Sequence, residues 1–153
     1  MKKFFNKVYY RAAAAVITTA TKGGTYPDYT FSGWTHLVGG MSEVKTGVEP
    51  DGDEPIDGGA TIFTSGEKSP LEISVIDFSA ADYDIIRGAF LNQKVDVLLV
   101  DSDQPAVGYA VFGTRLHPAL DTTSGAEPKI MLKGERKYGA GVTTPPFQLV
   151  AIS

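Results

Sequence analysis

The sequence predicts a mainly β protein with one flanking α-helix, a β-sandwich or barrel of about seven strands. Three observations carry this expectation. The stretch LEISVIDFSAADYDIIRGAFLNQKVDVLLVD, residues 71–101, reads as strand, capped helix, strand. Turn-forming residues recur along the rest of the chain at the spacing of a sandwich. Only one segment carries an apolar stripe of helical period. At 153 residues the chain is long enough to bury its own core, so 1–153 reads as a single domain.

Taken in order, residues 1–20 read as an N-terminal arm or a first strand. Basic residues followed by Ala12–Ile17 have the outline of a secretion signal, but Lys7 and Arg11 interrupt the apolar core. What remains is shorter than the about 7–15 apolar residues such signals use, which favours a retained arm. Residues 21–33 form a long loop, punctuated by Gly23, Gly24 and Pro27. The sandwich then occupies 34–153. Trp34, His36 and Val38 alternate with Thr35 and Leu37, and Gly39–Gly40 imply a bulge or bend. Residues 47–59 form a second long loop, acidic and broken by proline. ATIFTSGE (60–67) and SPLEISVIDFS (69–79) read as two strands joined by a turn around Gly66 and Lys68, with Leu71, Ile73 and Val75 on one face.

The helix spans about 80–91. Ser79 with Asp82 three residues later makes a shortened capping box. Tyr83, Ile86 and Phe90 form an apolar stripe, widened by Ile85 and Ala89. Gly88 inside it signals either a close neighbour or a fraying last turn. KVDVLLVD (94–101) is apolar enough to be covered on both faces, and AVGYAVFGTRLH (106–117) returns as its antiparallel partner. After a loop at 121–128, KIMLKGERKY and PPFQLVAIS complete the strands, with Pro145 and Pro146 marking where the last one begins.

The same residues exclude most chemistry. There is no cysteine, so disulfides, thiolate zinc sites and cysteine nucleophiles are absent. With 14 basic and 18 acidic residues the net charge is −4, the opposite of a phosphate-gripping protein. No apolar run approaches the about 20 residues that span a bilayer, so no membrane partner is expected. Glu49, Asp51, Asp53, Glu54 and Asp57 could offer oxygen ligands to calcium, but Pro55 stands where a third ligand belongs. A solvated or partner-contacting loop explains them better, and no metal is expected. His36 and His117 lack a neighbouring nucleophile and orienting group, and read as structural or surface residues. Asp82 is explained by capping, and Asp101 with Asp103 by a turn. The glycine pairs lack the strand-to-helix context of a phosphate loop, and no nucleophile-elbow motif occurs. The basic stretch Lys133–Gly139 reads as a solvated face. The chain is therefore expected to be no enzyme and to hold no cofactor.

What remains is surface. Phe4, Phe5, Tyr9 and Tyr10 make the N-terminal region too apolar for a free tail, so they either complete the core or pack on a neighbour. Self-assembly through these aromatics is the favoured expectation. Long loops at 21–33, 47–59 and 121–128 point the same way, being costly to order in a plain monomer.

SPLEISVIDFSAADYDIIRGAFLNQKVDVLLVD followed by QPAVGYAVFGTRLH resembles the major tail tube proteins of tailed phages and the related tubes of contractile injection systems. The likeness is to a pattern of elements over about a third of the chain, without a diagnostic motif. The resemblance implies a β-sandwich flanked by one helix, assembled with copies of itself into rings, usually hexameric, that stack into a hollow tube. It implies a virion location in the tail, assembly in the host cytoplasm, other tail proteins as partners, and DNA that passes through the lumen without specific binding. The acidic set 49–57 is then a candidate for lumen or inter-ring contact. Other tail and head–tail ring components (terminator, connector, distal tail protein) share such a sandwich and are the first alternative. A monomeric ligand-binding sandwich is the second, and it would bury the N-terminal aromatics in its own core.

Overall fold

Val95 to Val100 offers six consecutive apolar or paired side chains, and a strand of that composition needs cover on both faces. The computed structural model provides it. It describes residues 5–13, 19–24, 30–56, 61–101, 107–139 and 147–152, with backbone alone described at 40–42, 50–56, 61–66 and 139. In chain order the strands are β1 (Lys7–Ala12), β2 (Thr19–Ala20), β3 (Lys22–Gly23), β4 (Thr30–Phe31), β5 (Thr35–His36), β6 (Gly40–Thr46), β7 (Glu49–Ile56) and β8 (Thr61–Ile76). The helix α1 (Ala80–Phe90) follows, then β9 (Lys94–Val100), β10 (Val107–Arg115), β11 (His117–Asp121), β12 (Lys129–Gly139) and β13 (Phe147–Ile152).

The chain is mainly β with one helix, its sheets curled into a half-barrel. One sheet has the order β2-β13-β10-β9-β1-β5; the other runs β11-β12-β8-β6, with β7 also on β8. β3 and β4 form a separate short pair. Alternation along β9 divides the interior in two. Val95, Val97 and Leu99 face the second sheet, meeting Leu71, Ile73, Val75, Ile130 and Leu132 together with Ile86 and Phe90 of the helix. Leu98 and Val100 face the other way, where Tyr9, Phe112, Val150 and Ile152 are covered by Ala20, Phe31 and Trp34. Phe31 of β4 and Trp34 thus cover the outer face of the first sheet.

α1 begins as its sequence specifies. The Ser79 hydroxyl accepts from the Asp82 N–H at 3.2 Å, and the Asp82 carboxylate accepts from the Ser79 N–H at 3.1 Å. Ile86 and Phe90 are fully buried, and Tyr83 and Ala89 partly so. Ile85 departs from the expected stripe, being 51 % exposed. Gly88 has open space where a side chain would stand, so no close neighbour requires it.

Several expected boundaries differ. The strand count exceeds seven, because the 21–33 region contributes the β3–β4 pair, and the 34–46 stretch splits into β5 and β6, which join different sheets. The split falls at Leu37, which turns into the core with 0 % exposure. The loop expected over 47–59 is a strand through residues 49–56. Its prolines are accommodated because β7 is an edge, the place where a sheet accepts proline. The turn expected around Gly66 and Lys68 is absent: β8 runs unbroken for 16 residues. There β8 has a neighbour on each side, β7 and β12, and the paired backbone overrides the local turn preference of glycine. Asp57 and residues 58–59 lie outside the described residues.

Candidate functional site

β6 and β7 pair with the same side of β8 in succession, so 40–56 and 61–76 form one long two-stranded ribbon. At about 3.3 Å per residue the 16 residues of β8 span about 50 Å. The ribbon is interrupted at Gly47, whose φ is +156°, and Val48, which is 44 % exposed. Opposite them stands Pro70, which has no N–H to give; the Thr46 hydroxyl donates instead to the Pro70 carbonyl at 3.2 Å. β12 accompanies β8 as far as the Gly66–Gly139 pair. Beyond it, among the described residues, β8 is paired with β7 alone.

This projecting segment concentrates charge. Of the 18 acidic residues, Glu49, Asp51, Asp53, Glu54 and Asp57 fall between positions 49 and 57 with no lysine or arginine among them. The other acidic residues are outnumbered by the 14 basic ones, so the net negative charge of the chain resides in the ribbon. By register Glu49, Asp51 and Asp53 stand opposite Lys68, Gly66 and Thr64, at alternate positions that share one face. Asp57 lies outside the described residues.

The ribbon leaves the body beside a corner. β10 carries a bulge between Val111 and Thr114, then passes into the second sheet as β11. Gly113 sits in the bulge at φ +62°, a conformation that glycine adopts freely, and a side chain there would run into the Arg136 guanidinium. Asp96, with 0 % exposure, organises the site. Its carboxylate accepts from the Gly113 N–H at 2.8 Å and from the Arg11 guanidinium at 2.9 Å. Arg11 in turn stacks on Trp34, 4.4 Å from the ring centroid. From the other sheet Arg136 donates to the Phe112 carbonyl at 2.8 Å. The carboxylate is thus paired and hydrogen-bonded, as a buried charge must be. Nothing in the sequence reading singled out this network. Its signal was the lone acid inside an otherwise apolar run, which demands a partner.

The outer face of the second sheet is polar. Lys45, Glu72, Lys133 and His117 follow one another as direct cross-strand partners, and Lys133 meets Glu72 at 3.0 Å. A shallow groove of about 280 Å³ lies along this row, with Glu49 and Glu135 among its walls. On the inner side of the ribbon's base the Tyr138 phenol donates to Glu67 at 3.0 Å. Burial first, and then that carboxylate, raise the Tyr138 pKa above its ordinary value.

Three of the four N-terminal aromatics pack within the chain itself, Tyr9 fully and Phe5 and Tyr10 in part. Tyr9 is 2 % exposed and packs edge-on to Phe31, with His36 beside it. Tyr10 lies against Phe90, and burial raises its pKa. Phe5 meets Tyr109 edge-on at 5.1 Å. They belong here because β1 is an interior strand, paired to β9 on one side and β5 on the other. Phe4 lies outside the described residues.

Among the described residues the candidate catalytic side chains do not converge. His36 and His117 sit in different sheets, Asp82 caps the helix, and Asp103 lies outside the described residues. Among the described residues no group of three His, Asp or Glu side chains could hold a metal. The site is a projecting acidic ribbon on a mainly β body with one helix. Comparison with protein-family models, curated proteins and solved structures finds no match to this chain.

Proposed function

We propose that this protein is a structural subunit that assembles with copies of itself into stacked rings, a tail-tube-type conduit through which DNA passes without specific binding. The observation that carries the reading is the ribbon: a two-stranded projection that pairs, among the described residues, only with itself is costly to order unless another molecule receives it. Its acidity and the chain's net charge of −4 suit a conduit that must not retain phosphates. Ring closure and stacking need two different surfaces, each burying on the order of 1,000 Å². The sandwich and the ribbon offer distinct candidates for the two.

The test is negative-stain electron microscopy of the purified chain over a concentration series, with sedimentation velocity beside it. Rings or tubes with an open lumen are expected, and a single ring that never stacks would move the assignment to a terminator or connector. A second reading, a monomeric ligand-binding module, is favoured by one specific observation, the burial of Tyr9 within its own chain. A single sedimenting species of about 16.3 kDa at every concentration would establish that reading and sink the first.

A further inference from the structure

Lys94 opens β9 and Arg115 closes β10, and the two are direct cross-strand partners. Both are exposed. Like charges placed opposite each other destabilise an antiparallel pair. Among the described residues neither cation meets a carboxylate, and the nearest buried acid, Asp96, is already taken by Arg11 and the Gly113 N–H. Lys94 also stands on the rim of a groove of about 240 Å³ between the last turn of α1 and the β1–β9 pair. Ala12, Gly88, Ala89 and Val95 form its floor. Gly88 thereby gains a role, since a larger residue would occupy the open space above it.

An apolar floor beside two unmatched cations fits an extended partner that is acidic and interspersed with apolar residues. The ribbon has that composition, with Glu49, Asp51, Asp53 and Glu54 on one strand and Ile62 and Phe63 on the other. We propose that the β7–β8 ribbon of a second copy docks at the Lys94–Arg115 pair and the adjoining groove, a head-to-tail contact that repeats from subunit to subunit. This rests on the self-assembly reading above and supplies the surface that receives the ribbon.

The test is charge exchange in the full chain, read by sedimentation velocity and electron microscopy. K94E with R115E is expected to raise the concentration needed for assembly at least tenfold. E49K with D51K and D53K should do the same, and the five changes together should restore assembly. The milder K94Q with R115Q should give an intermediate shift, with thermal unfolding unchanged in the Lys94 and Arg115 variants. Salt should weaken the wild-type contact, because the Debye length falls to about 10 Å at 0.1 M. Wild-type tubes with K94E/R115E assembling at the same concentration would overturn the docking site while leaving the tube reading intact. A wild-type protein that never associates would remove both.

Discussion

The body and the ribbon share one strand yet are built on opposite terms. Along residues 71–76, β8 has β6 and β12 beside it, a helix and a second sheet beneath it, and Leu71, Ile73 and Val75 at 0 % exposure. Along residues 61–65 the same strand has, among the described residues, only β7. The body invests in burial: an apolar sheet covered on both faces, in which the buried Asp96 is paired with Arg11. The ribbon carries the net charge, four carboxylates on its described strand and two prolines. The contrast teaches where to look for function. Residues that hold the body together should answer in stability, and residues of the ribbon should answer in association.

The largest stability loss is expected from Asp96→Ala, which leaves the Arg11 guanidinium and the Gly113 N–H without their acceptor. Breaking one partner of a buried pair costs about 3–5 kcal/mol, to be read by urea denaturation with an unchanged slope. Gly113→Ala forces a side chain into a left-handed conformation against Arg136, and about 1–3 kcal/mol should be lost on the same assay. Ser79→Ala removes the helix cap at a cost of about 1 kcal/mol. D51N with D53N is expected to change stability by less than about 0.5 kcal/mol while shifting the concentration at which particles form. A stability loss as large as that of the Asp96 variant would erase the distinction between the two regions.

The smallest effect concerns Tyr138. Its pKa is raised from 10.0 in the folded chain, so the neutral phenol is the favoured form. Its contribution is fully present below the unfolded value and is lost as pH rises through the folded one. The alkaline limb of stability above pH 10 should therefore flatten in Tyr138→Phe, as seen by thermal unfolding against pH.

The body was largely legible from sequence and the ribbon was not, for a physical reason. Val95–Val100 announces a doubly covered strand by composition alone, and Ser79 with Asp82 announces a cap within four residues. Both signals are local. In the ribbon the local signals mislead: Pro50, Pro55 and Gly66 are turn formers, and what makes them strand residues is pairing with β8 or with β12, about 70 residues away. The fate of Tyr9 and Tyr10 turned on the same point. Their apolar surface was evident, but only the pairing of β1 with β9 assigns that surface to the chain's own core.

The unbroken course of β8 has a mechanical consequence. A pull on the ribbon along its length is delivered to the body parallel to the strand. The load is then shared in shear by every hydrogen bond that β6 and β12 make with it, instead of peeling them one at a time. Towards its other end lies the capped helix, anchored by Phe90. A projection attached in this way resists extraction far better than one joined through a flexible loop, and it would hand tension from one molecule to the next without unravelling either.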